Sequence, residues 1–211
     1  MIAEFKKYPK TMHLPWSLAL QNDDKMIESL SHLESCTDVV VTMKMDGENT
    51  AMTKNKIHAR SLDSRHHPSR NWVKALHGTI SRDIPEGYKF FGENLYAVHS
   101  IKYDNLKSYF YLFHVLKDDK FLAWDEVKDW ASLLGLETVP EIYRGKWDDA
   151  FLKNMPLNTE KDEGFVVRDA GVIPFEKFDE YTAKWVRSGH VQTDEHWMNK
   201  PIVSNNLGFS P

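Results

Sequence analysis

Lys44 stands near the end of the apolar run Val39-Val40-Val41-Thr42-Met43-Lys44-Met45, just before the turn residues Asp46-Gly47-Glu48-Asn49. On an extended chain Thr42, Lys44 and Asp46 share one face while Met43 and Met45 take the other, so an amine and a carboxylate meet beside a turn. A lysine so placed can act as a covalent nucleophile when partial burial and neighbouring cations depress its pKa and free the nitrogen lone pair. The same residues also fit an ordinary edge-strand lysine left in water, and Asp46 also fits a turn aspartate bonding its own backbone before Gly47. Further along, Phe91-Gly92-Glu93-Asn94 ends an aromatic run with a carboxylate placed to accept hydrogen bonds from a sugar. Tyr109-Phe110-Tyr111-Leu112-Phe113-His114-Val115 alternates aromatics, one of which could stack on a base. Glu163-Gly164-Phe165-Val166-Val167-Arg168 opens with an acid suited to a hydrated magnesium ion over a phosphate, and Ala183-Lys184-Trp185-Val186-Arg187 supplies a second cation.

A one-sided basic window lies between His58 and Arg82. Arg60, Arg65, Arg70, Lys74 and Arg82 join His58, His66, His67 and His77 there against the single acid Asp63. Clustered Lys and Arg are the footprint of phosphate-backbone contact, although a solvated face with a chance charge bias has the same composition. The chain as a whole, with 27 basic and 31 acidic side chains and a formal net charge of −4, is no polyanion trap, so nucleic acid must meet a local patch. The tail residues His190, Asp194 and His196 fit no familiar zinc spacing, and substrate-end contact or packing is the better reading for them.

These groups need elements to hold them. One-sided apolar spacing predicts a helix over 23–34 with Met26, Ile27, Leu30 and Leu33 inward behind an Asn22 or Asp23 cap. A second helix is expected over 69–80 with Trp72, Leu76 and Ile80 inward, and a third over 125–134, stopped by Gly135. Strand-like runs fall at 38–45, 88–92, 109–116, 164–168 and 183–187. Strands that outnumber regular βαβ units favour a mixed α+β domain over a doubly wound sheet. The 211 residues, 41% hydrophobic and without a repeat or linker, suit one ordinary domain over 1–187 followed by a short tail over 188–211. The longest apolar stretch, 109–116, is far short of the ~20 residues of a membrane helix, and residues 1–16 lack the pattern of a secretory signal. No membrane partner is expected, the cytoplasm is the natural location, and the oligomeric state leaves no mark in the sequence. Cys36, the single cysteine, has no second thiol for a bridge, a redox pair or a zinc knuckle and reads as structural.

In order and kind the lysine, ribose, aromatic, acidic and second-cation segments resemble the covalent nucleotidyltransferase superfamily, and their wording resembles the ATP-dependent RNA ligase family. Lys44-Met45-Asp46-Gly47 matches its nucleotide-accepting KxDG element, and Phe91-Gly92-Glu93 its ribose-contacting element. Phe113 sits where the family stacks its purine, Glu163-Gly164 begins the element ending at Arg168, Lys184 matches the first lysine of the last motif, and Arg60 lies where an arginine contacts the nucleotide or strand end. KxDG alone is weak; five motifs in order over about two thirds of the chain are specific.

The resemblance implies an adenylation domain of mainly antiparallel sheets flanked by helices, using ATP with Mg2+ or Mn2+, and active in RNA repair. It implies that Lys44 becomes a lysyl-AMP, that the AMP passes to an RNA 5′-phosphate, and that a 3′-hydroxyl then seals the strand. Glu93 would hold the ribose, Phe113 the adenine, Glu163 and Asp46 the metal, and Arg168 and Lys184 the phosphates. Arg60, Arg65, Arg70 and Lys74 would then lie along the RNA path. A DNA ligase, a GTP-using capping-type guanylyltransferase and a catalytically silent nucleotide- or RNA-binding module are the alternatives. Two departures stand out. The second lysine of the last motif is replaced by Val186, and Arg187 on a regular strand would face away from Lys184, so Arg168 or a distorted strand is expected to compensate. The stretch after Arg187 is also too short for the strand-barrel OB-fold domain that many relatives append.

Overall fold

The computed structural model describes residues 6–18, 24–62, 64–158, 160–188 and 201–208. Two sheets organise the chain. Sheet one contains β1 (Met12–His13), β2 (Val39–Lys44), β9 (Glu141–Gly145), β10 (Gly164–Asp169) and β12 (Thr182–Val186), in the spatial order β1-β12-β10-β2-β9. All its pairings are antiparallel except that of β1, which runs parallel to β12. Sheet two contains β3 (Glu48–Met52), β4 (Ile57–Ala59), β5 (Lys89–Asn94), β6 (Phe110–Lys117), β7 (Lys120–Phe121), β8 (Glu137–Thr138) and β11 (Ile173–Pro174). Its order is β11-β7-β6-β5-β3-β4, with β8 added parallel to β6. The helices are α1 (Ser31–Ser35), α2 (Asn71–Ile80), α3 (Trp124–Leu134), α4 (Asp149–Lys153) and α5 (Phe178–Tyr181). Among the described residues, no helix is long and apolar enough to cross a membrane.

The strands form where β-branched and aromatic residues alternate, and the alternation decides which side is core. In β2 and its neighbours Val39, Val41, Phe165, Val167 and Ala183 turn to one side and pack with Leu14, Leu33 and Leu152. The other side of the same sheet carries Thr42, Lys44, Val166 and Lys184, because directly opposed residues share a face and Thr42 pairs with Val166, which pairs with Lys184. The largest core cluster joins Val73 and Ile80 of α2 and Val127 of α3 to Phe90, Leu112 and Val115 of sheet two, and takes in Val40 of β2.

The expected mixed α+β architecture, the strands and two of the helices are present. A 3-10 turn at Pro68–Arg70 leads into α2, where Val73 and Ile80 are buried and Trp72 and Leu76 pack partly against the core. The helix ending at Gly135 begins one residue before its expected start. The helix expected over 23–34 is corrected to a single short turn, α1. Lys25 accepts a backbone hydrogen bond from His13 (2.8 Å) and Ile27 donates one back to His13 (2.8 Å), so these groups serve the strand beside them instead of a helix. Its Asn22 or Asp23 cap, Asp63 of the basic window, and His190, Asp194 and His196 of the tail lie outside the described residues.

Candidate active site

Lys44 is the last residue of β2 and pairs with Gly164, the first of β10, which brings the preceding Glu163 beside the amine. Lys44 Nζ donates to Glu163 Oε1 at 2.6 Å, with 26% of the lysine side chain and 5% of the glutamate side chain exposed. Two glycines permit this closeness. A Cβ on Gly47 would lie 2.6 Å from the Asn94 carbonyl oxygen, so only glycine lets the turn after Lys44 pass against the end of β5. One on Gly164 would lie 2.0 Å from the carbonyl oxygen of Trp185, against β12.

Glu93 approaches from sheet two, where it pairs with Asn49 and Tyr111. Burial pushes its carboxyl up to about 8; Lys44 opposes that rise, while Glu163, Asp46 and Glu48 reinforce it. Lys44 moves opposite to the sequence expectation. Burial does work against its charge, but Glu163, Glu93 and Asp46 outweigh burial and hold the ammonium above its ordinary range. The surroundings are thus acidic, not cationic. The amine pushed downward is Lys184, by burial first and by Lys44 second, with Asp24 and Glu163 pulling the other way.

Asp46 is 6% exposed, and its Oδ2 accepts from the Ser100 amide (2.8 Å), the Ser100 hydroxyl (2.8 Å) and the Ile101 amide (2.7 Å). Its own amide donates to the Tyr103 hydroxyl at 2.9 Å. Its Oδ2 is thus committed to the Ser100–Ile101 segment and not turned wholly to the cleft. Phe113 is the unpaired residue where β6 slips against β5, since Gly92 faces Leu112 and Phe91 faces His114. The bulge re-aims its ring, which lies edge-on to Tyr8 with centroids 5.2 Å apart.

Arg168 departs from the expected phosphate role. It is 2% exposed and donates to the Phe113 carbonyl and, at 3.3 Å, to the Thr42 hydroxyl, with its guanidinium 4.3 Å above the Trp124 ring. Burial lowers its pKa to about 10. It ties sheet one to sheet two. β12 is regular through Val186, which is 4% exposed, and the Arg187 amide donates to the Glu163 carbonyl (3.1 Å), so the expected distortion is absent.

The residues that sequence reasoning missed come from the N-terminal arm. β1 places His13 beside Lys184. His13 Nε2 lies 3.2 Å from Asp24 Oδ2, while Asp24 Oδ1 is 3.6 Å from Lys184 and 3.9 Å from Lys10. Burial, with Lys184 adding to it, lowers His13 to about 4, so it stays neutral. Only a pairing across the whole chain creates this cluster, and no local signal announces it.

The basic window divides. Arg60, Arg65 and Arg82 are exposed and Lys74 half-buried, with Lys74 and Arg65 lining one small cleft with His58. Arg70 also lines that cleft, but its guanidinium is engaged in an internal ion pair. It is 9% exposed and holds Glu48 through two nitrogens, Nε at 2.7 Å and Nη2, while Nη1 donates to the Arg65 carbonyl. His67 caps the turn into α2 through Ser69, and His77 Nε2 bonds the Thr53 carbonyl at 2.7 Å, so both serve the fold.

A family model described as RNA ligase matches residues 37–186, the stretch that carries Lys44, Arg60, Glu93, Phe113, Glu163, Arg168 and Lys184. The chain belongs to the RNA ligase family. No curated protein matches the sequence. Among solved structures, a Naegleria gruberi RNA ligase bound to pyrophosphate is similar at 17% identity and a TM-score of 0.53, over 90% of this chain and 60% of that one. A putative ATP-dependent DNA ligase from Aquifex aeolicus is similar at 17% identity and a TM-score of 0.57, over 86% of this chain and 50% of that one. A variant of the Naegleria gruberi ligase bound to ATP and Mn gives 16% identity and a TM-score of 0.52, over 87% and 58%. The chain therefore spans about half to three fifths of these proteins, and at such identity the likeness establishes the fold, that of a ligase nucleotidyltransferase domain.

Proposed function

We propose that this RNA ligase family member is an ATP-dependent RNA ligase that adenylates itself on Lys44. The supporting observation is the Lys44–Glu163 pair, 2.6 Å long, on the sheet face that also carries Lys184 and opposite Glu93. In the first step Lys44 Nζ attacks the α-phosphorus of ATP, a P–N bond forms, and the bond to pyrophosphate breaks. An oxygen of an RNA 5′-phosphate then attacks the same phosphorus, the P–N bond breaks, and the lysine is restored. Finally a 3′-hydroxyl attacks the RNA 5′-phosphorus and AMP leaves.

Positioning and charge neutralisation are the protein's share of such transfers. Lys44 must first lose a proton, and Glu163 Oε1 is the acceptor within reach. Lys184, drawn away from its acidic partners by a polyphosphate, would take its charge. Glu93, whose carboxyl burial and acidic neighbours push up to about 8, accepts from a ribose hydroxyl when ionised and can also donate to one when protonated. Phe113 offers its re-aimed ring to the adenine, a contact of ~1 to 3 kcal/mol. The oxygen-only donors around Lys44 fit a hard divalent cation such as Mg2+ or Mn2+, and Glu163 would hold it; Asp46 would contribute mainly by fixing the turn, given the donors already on its Oδ2. When bound, that ion supplies neutralisation of the charge on the departing pyrophosphate. RNA ends bearing a 5′-phosphate and a 3′-hydroxyl would approach over Arg60, Arg65 and Lys74.

Incubation with labelled ATP, then GTP, then RNA or DNA ends in parallel tests each element. Label from ATP alone followed by sealing of RNA is expected; label from GTP, or sealing of DNA but not RNA, would contradict the nucleotide or the substrate.

A further inference from the structure

Cys36 reads as an isolated thiol in the sequence, yet the fold gives it two metal-ligating neighbours. His32 and Cys36 stand four residues apart on α1 and at its end, and Asp169 closes β10. His32 Nε2 is 2.8 Å from Asp169 Oδ2, Cys36 Sγ is 3.3 Å from the same oxygen, and Sγ is 3.5 Å from His32 Nε2. Three donors of three kinds thus converge on one point, and among the described residues this is the one group of His, Cys, Asp or Glu side chains so closely gathered.

The separations discriminate between two uses. A thiol-imidazole-carboxylate relay needs the imidazole to bridge its partners through different nitrogens, one facing the thiol and the other the acid. Here Nε2 faces both, so no relay is formed. Around a tetrahedral zinc ion, with Zn–S about 2.3 Å and Zn–N and Zn–O about 2.0 to 2.2 Å, adjacent donors stand roughly 3.3 to 3.6 Å apart. Pairs that include the sulfur need about 3.5 to 3.6 Å, so the Sγ–Nε2 separation fits already, the Sγ–Oδ2 separation needs a few tenths of an ångström of opening, and the Nε2–Oδ2 separation needs about half an ångström. Outer contacts hold the ligands in place. Asp169 Oδ1 accepts the Gly171 amide at 2.8 Å, and the His32 ring stacks on Tyr181 with centroids 3.5 Å apart. The His32 and Asp169 side chains are 28% and 21% exposed, enough for an ion to enter and for a water to complete the shell.

We propose that His32 Nε2, Cys36 Sγ and Asp169 Oδ2 form a site for Zn2+ or a similar thiophilic divalent cation, pinning α1 to the end of β10. Coordination exchanges the thiol proton for the ion and releases it to solvent; nothing is oxidised. The site is separate from the ligase centre, since Asp169 lies at the far end of the strand that Gly164 opens, about 17 Å away at the rise of an extended chain.

Cobalt is the probe. The purified chain, stripped with chelator and dialysed against Co2+ in excess Mg2+, is expected to hold one equivalent and show the near-ultraviolet charge-transfer band of a thiolate–cobalt bond. Cys36→Ser should abolish the band, and His32→Ala should weaken retention at least tenfold, both with an unchanged circular dichroism spectrum. Zn2+ should displace the cobalt and raise the melting temperature of the native chain. Absence of the band in the native chain, or a band that survives Cys36→Ser, would overturn the proposal, as would Zn2+ that leaves the melting temperature unmoved. If a variant unfolds, the native chain's band and its displacement by Zn2+ decide the matter alone. The Lys44 chemistry is unaffected by any of these outcomes.

Discussion

Glu93 is the residue whose ionisation costs the fold most visibly. Its carboxyl is pushed from an ordinary value of 4.5 to about 8, first by burial and then by its acidic neighbours. The folded state therefore keeps a proton that the unfolded chain has lost, and stability must fall as pH rises across that interval, by at most ~1.4 kcal/mol per unit. Glu93→Gln removes the titration and should flatten that decline, so the variant should melt higher than the parent at pH 8 to 9 and closer to it at pH 5. Denaturation scans at those pH values check this; equal losses in both proteins would show that Glu93 is charged throughout. Burying this carboxyl thus costs stability at alkaline pH, while its acidic neighbours hold the Lys44 ammonium above its ordinary range.

At the level of elements, the turn between β2 and β3 is held by what it lacks. Gly47→Ala puts a methyl 2.6 Å from the Asn94 carbonyl oxygen and 2.7 Å from Leu95 Cδ2, so a loss of ~1 to 3 kcal/mol is expected by urea unfolding, with nucleotide binding reduced as Lys44 is displaced. An unchanged midpoint would mean that the turn has room to shift. The glycine was legible because motif and steric need coincide at adjacent residues, and the Lys44, Glu93 and Glu163 segments were legible for the same local reason. The N-terminal arm was not. Met26, Ile27, Leu30 and Leu33 have helical spacing, but spacing reports which side is apolar and not where backbone groups bond; the pairing with His13 decided that. The strand Glu48–Met52 was missed because its sequence, Glu-Asn-Thr-Ala-Met, is polar and short on β-branched residues, although Thr50, Ala51 and Met52 are all buried. Arg70 looked like a surface cation until the acid it pairs with, Glu48, was brought to it by the fold.

For the molecule as a whole, that division of the basic window separates binding from stability. Arg65→Ala, at an exposed site, should weaken RNA by less than tenfold and reduce the slope of log affinity against log salt by about 0.7, the share of one phosphate on a single strand. Arg70→Ala leaves the largely enclosed Glu48 carboxylate, 12% exposed, without its partner, so about 3 kcal/mol of stability should be lost instead. Filter binding across a salt series, paired with urea unfolding, separates the two. Interchanged phenotypes would place the RNA path elsewhere.

The proposed function depends on one covalent bond at one nitrogen. Intact mass spectrometry of the purified chain, freed of nucleotide and then incubated with ATP and Mg2+, followed by peptide mapping, measures it directly. A gain of a single AMP located on Lys44, absent from a folded Lys44→Ala variant and discharged by pyrophosphate, is the expected result. No gain in mass, or an adduct that maps to another residue and persists in Lys44→Ala, would contradict the account.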